Sequence, residues 1–167
     1  CDSKMRELLL DCCALDWGRI SPAIFGALFQ CVMDEEGKDR RRNLGAHYTS
    51  EENILKLIKP LFLDDLWAEF ETAKRSSAKL FEFHKKLSRL KFLDPACGCG
   101  NFLVIAYREL RKLELEILRA ARQSGQHHLD IFQLVQVDVD QFHGIEIEEF
   151  PAQIAQVALW LTDHQMN

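Results

Sequence analysis

Phe92-Leu93-Asp94-Pro95-Ala96-Cys97-Gly98-Cys99-Gly100-Asn101-Phe102-Leu103 is the stretch on which the fold turns. It reads as a short apolar strand with a carboxylate at its C-terminal end, then a glycine turn, then the start of a helix. Glycines let the backbone approach a ligand closely, and ligands of open α/β sheets sit beyond the carboxyl ends of the strands. A dinucleotide fingerprint needs G-x-G-x-x-G, whereas here Gly98-x-Gly100 is followed by Leu103 at the third glycine position. A carboxylate directly before the turn repels a pyrophosphate and suits an ammonium group. The pattern therefore favours a nucleotide that carries an amino acid over NAD.

After the turn, Leu103, Ala106, Leu110, Leu113 and Ile117 follow 3–4–3–4 spacing, with Arg108, Glu109, Arg111, Lys112 and Glu116 elsewhere on the helix. This long amphipathic helix ends before Gly125. Residues 129–141 read equally as a helical turn or a strand. Phe142-His143-Gly144-Ile145-Glu146-Ile147 reads as a second strand, also ending in a carboxylate. An acidic residue there is the usual partner of two ribose hydroxyls, because a carboxylate accepts both hydrogen bonds. The distance from Asp94 is 146 − 94 = 52 residues, longer than the compact spacing of about 20. Pro151 opens a last helix carrying Ile154, Val157, Ala158 and Leu161.

Upstream, Thr49 and Glu52 have capping-box spacing, and Glu51 and Glu52 suit the positive end of a helix. Ile54, Leu57, Ile58 and Leu61 then recur at i, i+3, i+4, i+7, and helices follow over residues 64–74 and 78–90. Nearer the start, Ser21-Pro22 is a helix start whose apolar run over residues 23–29 predicts burial all round, packed against an earlier helix at residues 4–15. Lys38-Asp39-Arg40-Arg41-Arg42 is a basic loop, either solvated or touching phosphates. The order helix, strand, loop, helix, strand, helix predicts a parallel α/β sheet with crossover helices.

The 167 residues suit one domain against roughly 150 per domain. Apolar residues at 47 % and charged residues at 28 % are ordinary globular usage and argue against disorder. No apolar run approaches the roughly 20 residues of a membrane span. The net charge of −5 excludes a histone-like polycation but not a local basic groove. Cys1, Cys12, Cys13, Cys31, Cys97 and Cys99 form no C-x-x-C ladder, so a reducing cytosol fits better than a disulfide framework, and Cys97 with Cys99 predicts no metal site. With Cys1 in place of Met at the start, and Asn167 falling just after an amphipathic helix, the chain reads as a piece of something larger.

Three segments together resemble a family. Asp-Pro-Ala-Cys-Gly-Cys-Gly-Asn-Phe-Leu at residues 94–103 resembles motif I of adenine-N6 DNA methyltransferases that use S-adenosylmethionine. Gly-Ala-His-Tyr-Thr-Ser at residues 45–50 is similar to the motif those enzymes place ahead of it, and Gly-Ile-Glu-Ile at residues 144–147 to their second motif. The likeness is particularly close to the methylase region of MmeI-like single-chain restriction–modification proteins. It implies the N-terminal half of a class I, Rossmann-like methyltransferase domain at residues 45–167, cut at its C-terminal side, after a helical lead-in at residues 1–44.

The resemblance implies that Tyr48 and Thr49 belong to the cofactor site, with Thr49 at the methionine carboxylate and Asp94 facing the methionine amino group. It implies that the backbone of Pro95, Ala96, Cys97, Gly98 and Gly100 wraps methionine and ribose, with Asn101 and Phe102 beside it. Glu146 would take the ribose hydroxyls and Ile147 would pack on adenine. Cys99 stands where serine is more usual. The Asn/Asp-Pro-Pro-aromatic unit that holds the target adenine is absent, since the prolines are Pro22, Pro60, Pro95 and Pro151. The resemblance places that unit beyond Asn167. No catalytic residue is therefore assigned, and these residues alone are expected to transfer no methyl group. The implied partner of the whole protein is double-stranded DNA, in a bacterial cytoplasm and without a membrane, and the half-sheet is expected to self-associate. Alternatives are a methyltransferase of RNA or protein, and a cofactor- or DNA-binding module without turnover.

Overall fold

The computed structural model describes residues 2–14, 24, 49–123 and 135–167. In chain order these form α1 (Ser3–Cys13), α2 (Glu51–Ile58), a π-helical turn (Lys59–Leu63), α3 (Asp64–Ala73), α4 (Ser77–Leu87), β1 (Phe92–Asp94), α5 (Asn101–Gln123), a 3-10 turn (Val139–Gln141), β2 (Phe142–Gly144) and α6 (Glu149–Met166). β1 and β2 are parallel neighbours, with Phe92, Leu93 and Asp94 opposite Phe142, His143 and Gly144. The crossover between them runs through α5, as the expected parallel α/β order requires. The described residues are mostly helical and carry one small parallel sheet of two strands, β1 beside β2. The helix start at Ser21-Pro22, the basic loop at residues 38–42, Tyr48 and residues 129–134 of the ambiguous segment 129–141 lie outside the described residues, and the described remainder of that segment ends in the 3-10 turn rather than a strand.

Helix α5 is the element against which the others pack: it touches α2, α4, α6 and both strands. Its expected stripe is buried in full, from Leu103 and Ala106 to Leu110, Leu113 and Ile117. On the sheet side Phe92 stacks on Phe142 with ring centroids 4.9 Å apart, and Tyr107 of α5 meets Phe142 edge-on at 5.3 Å. Such aromatic pairs add about 0.5–1.5 kcal/mol beyond their area. The Tyr107 hydroxyl donates to Asp163 Oδ1 on α6 at 2.5 Å. Burial, and then this bond to a carboxylate, push the phenol far above its ordinary value, so it remains a donor.

The same helix also buries charge. Glu114 has no exposure, and it accepts hydrogen bonds from His84 Nε2 (2.7 Å), Arg111 (2.5 Å) and the amides of Gln136 (2.6 Å) and Val137 (3.0 Å). Burial by itself pushes the Glu114 carboxyl up. The bonds from His84, Gln136 and Val137, together with the Arg111 charge, outweigh it and hold the group below the ordinary glutamate value. The other guanidinium nitrogen of Arg111 reaches the end of α6, where it donates to the Met166 carbonyl at 3.2 Å and to Asn167 Oδ1 at 2.6 Å. Gln141 makes a second buried tie, donating to the carbonyls of Leu87 (2.7 Å) and Leu90 (2.8 Å) and accepting the Asp138 amide (2.8 Å). These bonds fix the turn that feeds β2 to the end of α4.

Some expectations fail for local reasons. The cap of α2 is Ser50, without a side-chain bond, so the Thr49–Glu52 capping box does not form. Of the predicted stripe Ile54 and Ile58 are buried, whereas Leu57 and Leu61 are exposed. Pro60 lacks the N–H that would continue the ladder, and the chain widens there into the π turn, which turns Leu61 outward and Leu63 inward. α1 has no buried residue, with Met5, Leu8, Leu9 and Leu10 exposed, and the helix it is expected to pack against lies, apart from Ile24, outside the described residues. Ile24, described alone within the apolar run at 23–29, is also exposed. α6 begins at Glu149, two residues before Pro151, and its Val157 faces outward rather than into the core.

Glu114→Ala leaves Arg111 charged and buried without its carboxylate partner, so it should lower stability by about 3–5 kcal/mol, read from the urea midpoint. The folded carboxyl titrates below its ordinary value of 4.5. Its contribution is thus complete above about that pH and fades as the pH falls through the lowered folded value. The midpoint of the parent should decline in that acidic window more steeply than that of Glu114→Gln.

Candidate functional site

Two strand-end carboxylates bracket the loop at residues 95–100. The Asp94 carbonyl accepts the Ile145 amide at 2.9 Å, and the Cys97 amide returns to the Ile145 carbonyl at 3.0 Å. The parallel ladder thus runs past both strands and stitches the loop to the end of β2. Asp94 Oδ1 accepts the Ala96 amide at 3.1 Å, an Asx turn over Pro95. The Gly100 amide closes on the Cys97 carbonyl at 2.8 Å, and Val104 then donates to Gly100 at 2.9 Å, the first bond of α5. β2 ends at Gly144 rather than running to Ile147 as expected, and two residues past it Glu146 Oε2 accepts the Gly98 amide at 2.9 Å, while Oε1 accepts the amides of Ile147 (2.8 Å) and Glu148 (3.0 Å).

The loop glycines act differently. Gly98 and Gly100 have φ of +53° and +79°, the left-handed region that side chains disfavour. A Cβ on Gly98 would meet nothing within 4 Å, so only its dihedral demands glycine. On Gly100 it would lie 2.8 Å from the Ala155 Cβ of α6, and on Gly144 2.6 Å from the Cys97 sulfur. The loop is clasped between α6 and β2 and stays open on the Gly98 side.

Cys97 is buried and Cys99 half-buried, both as free thiols. Burial first, then the negative charges of Asp94 and Glu146, push the Cys97 thiol up. Burial, Glu146 and Cys97 push Cys99 up to about 11. Neither thiol is a nucleophile at neutral pH, because the thiolate is the reactive form.

The remaining expected residues divide. Asn101 opens α5, and its Oδ1 is buried without a hydrogen-bond partner among the described residues. Ile147 is 92 % exposed beyond β2. Phe102 packs into the apolar cluster of Ile54, Ile58, Leu63 and Ile105. Thr49 is half-buried ahead of α2, and among the described residues no hydrogen bond links it to Asp94 or Glu146. What ties its segment to α5 is Glu51, two residues on, paired with both terminal nitrogens of the Arg108 guanidinium. The Arg108 hydrogen bond, opposed by burial, holds the Glu51 carboxyl below its ordinary value.

Asn167, the position past which the adenine-holding unit is expected, is no member of the loop site. Its amide donates to the Asp163 carbonyl at 3.1 Å and so closes the last turn of α6. Its side chain accepts from Arg111 at 2.6 Å and donates to Asp163 Oδ1 at 2.9 Å. The sequence reading gave Asn167 only as a boundary, whereas the structure makes it a tie between α6 and α5. Sequence reasoning also missed the Glu51–Arg108 pair and the close approach of Ala155 to Gly100; a long-range contact leaves no local signal. A groove of about 530 Å³ between α3 and α4, over Ala73, Ala78 and Phe83, shares no residue with the loop.

The family model for the MmeI DNA-methyltransferase domain matches residues 70–167, which include β1, the glycine loop, α5, β2 and α6. The chain belongs to the MmeI DNA-methyltransferase family. It is similar to DNA methyltransferase A of Bacillus subtilis (strain 168), at 43 % identity over 99 % of this chain and 18 % of that protein. It is 30 % identical, over 59 % of its length and 9 % of the relative, to adenine-specific methyltransferase PglX of Streptomyces coelicolor. Its fold is that of the Type IIL restriction–modification enzyme MmeI, solved in complex with DNA, with a TM-score of 0.90 and 71 % identity over 100 % of this chain and 22 % of MmeI. The chain therefore spans less than a quarter of the length of these relatives.

Within this family fold the two loop glycines should tolerate alanine unequally. Gly98→Ala should cost only the left-handed backbone, about 1–2 kcal/mol, whereas Gly100→Ala adds the collision with Ala155, a further ~1–3 kcal/mol. Thermal unfolding of the two variants checks the order. Cys99 should resist iodoacetamide at pH 7, and its alkylation rate, followed by mass spectrometry, should rise with pH until about 11. Replacing the nearby charge in Glu146→Gln should lower the pH at which that rise occurs.

Proposed function

We propose that this chain is the S-adenosylmethionine-binding part of a DNA adenine-N6 methyltransferase within a bacterial restriction–modification protein. The observation that carries this reading is the pair of carboxylates, Asp94 at the end of β1 and Glu146 two residues past the end of the parallel β2, both hydrogen-bonded to one loop with left-handed glycines. The donor set suits a nucleotide bearing an amino acid. Asp94 uses Oδ1 on Ala96 and keeps acceptor capacity for an ammonium group. Asn101 has a buried oxygen with no partner among the described residues, at the helix end nearest the loop. Ile147 is an uncovered apolar surface for a flat ring, and the Gly98 side of the loop is open.

In this reading Asp94 holds the methionine amino group and Thr49, with Tyr48, the methionine carboxylate. The backbone of Pro95, Ala96, Cys97, Gly98 and Gly100 lines the middle of the ligand. Glu146 takes the ribose hydroxyls, and Asn101, Phe102 and Ile147 border the rest. When bound, the cofactor supplies an activated methyl group on a sulfonium. The chain's own task is to bind and orient it. Residues 1–44 are a lead-in to this cofactor-binding part, and the site of action is the cytoplasm.

The DNA substrate is supported by the relatives' names and by MmeI, whose structure contains DNA. The target base must then leave the helix, since its amino group is out of reach within the stack. These 167 residues contain no Asn/Asp-Pro-Pro-aromatic unit to receive that base. Turnover is assigned to a longer protein, in which that unit, beyond Asn167, aligns the amine with the methyl, because in-line positioning supplies most of the rate.

Calorimetry should show S-adenosylhomocysteine binding to the intact protein and NAD failing to bind; tighter binding of NAD would overturn the reading. Glu146→Ala should weaken S-adenosylhomocysteine by about 2–4 kcal/mol, from roughly 1.5–3 per charge-assisted bond with imperfect additivity. Tritium transfer from S-adenosylmethionine to unmethylated DNA should be absent with these 167 residues alone and present with the longer protein. Transfer to RNA or protein in place of DNA would move the assignment to another substrate class.

A further inference from the structure

The Glu146 carboxylate is already in use. A carboxylate offers about four acceptor positions. Oε1 carries the amides of Ile147 and Glu148, and Oε2 carries the Gly98 amide at 2.9 Å. About one position is left, on Oε2, whereas a vicinal ribose diol presents two O–H donors. The three bonds also differ in kind. Ile147 and Glu148 belong to the turn that follows Glu146 itself, while Gly98 lies 48 residues away in the glycine loop. On the side where a side chain would stand Gly98 is open, since a Cβ there would meet nothing within 4 Å, and its carbonyl accepts only a weak bond from the Cys97 thiol at 3.7 Å. Gly100, by contrast, is pressed against Ala155.

We propose that Glu146 clamps the glycine loop through the Gly98 amide, and that the ribose diol of the cofactor binds by displacing that amide. Glu146 is then a positioning residue for the loop as well as the ribose ligand; this rests on the cofactor reading above. Three amides satisfy the carboxylate, and the one from Gly98 ties it to the left-handed loop. On binding, an N–H donor on Oε2 is exchanged for O–H donors on the same oxygen. Both are charge-assisted bonds of comparable strength, so the lost amide bond is offset by the bonds the diol makes.

The test uses the intact protein, deuterated and labelled with 15N-glycine and 13C-carbonyl cysteine, which selects glycines that follow cysteine. Gly98 and Gly100 are such glycines, and each signal is assigned by its loss on substitution with alanine. In the ligand-free protein, Glu146→Gln should move the Gly98 amide proton upfield and speed its exchange with solvent. Gly100, bonded to the Cys97 carbonyl, should stay in place. An unchanged Gly98 signal would overturn the clamp. In the parent, S-adenosylhomocysteine should move Gly98 upfield, and its 2′,3′-dideoxy analogue should bind without moving it. Binding of S-adenosylhomocysteine with Gly98 unmoved would overturn the exchange. If neither ligand bound, the cofactor reading and the exchange would fall together, while the clamp would still be decided by Glu146→Gln without ligand.

Discussion

A carboxylate with no access to water holds the two halves of this molecule in register. Glu114 sits in the middle of α5 and accepts bonds from α4, from its own helix and from the chain entering β2. An ionised carboxylate in an apolar interior is unfavourable by many kcal/mol unless donors surround it. Here the donors come from elements far apart in sequence, so the charge is tolerable only when all of them are in place. Through Arg111 the same network reaches Asn167 and the end of α6. The consequence runs to the functional end of the sheet. The amides of Gln136 and Val137 fix the approach to β2, Gln141 fixes it again to α4, and β2 then lies close enough for Gly144 to approach the Cys97 sulfur.

The candidate site is shaped by backbone more than by side chains. Its loop is defined by two positive φ angles, by main-chain bonds between the ends of adjacent strands, and by one long-range contact from Glu146 to Gly98. Helices flank it, with α5 continuing from the loop and α6 against Gly100. Backbone donors of this kind hold their direction without the rotamer freedom of side chains, which suits a site that must bind and orient. The thiols in the loop contribute volume rather than reactivity, because burial and neighbouring carboxylates keep them protonated.

The outer faces present a different surface. Leu93, Ile145, Ile147, Phe150, Val157 and Trp160 are exposed, on the strands, just after β2 and along α6. Single exposed apolar residues are ordinary, and the informative property is that six fall on these neighbouring segments. The two-stranded sheet also leaves backbone groups of its strands unpaired along the outer edges among the described residues.

Much was legible in the residues themselves because it rests on local rules. The strand at Phe92, the glycine turn and the stripe of α5 follow from periodicity and backbone freedom, and the family followed from three motifs in order. The failures were cases in which another element decides. Leu57, Leu61 and Val157 satisfy helical spacing yet face outward, because a period identifies a stripe but not whether anything covers it. Arg111 read as one of the charges off the apolar stripe, yet it is buried against Glu114, which stands four residues from Leu110 and three from Ile117. His84 stands likewise four from Leu80. By itself the sequence determined the order of elements, the glycine loop and the carboxylates that flank it. Only the tertiary structure decided which charges are buried, which amide occupies Glu146, what Asn167 holds, and why Gly100 must be glycine. Those outcomes depend on atoms brought together from positions tens of residues apart, and pairwise geometry at that range is not written in any local pattern.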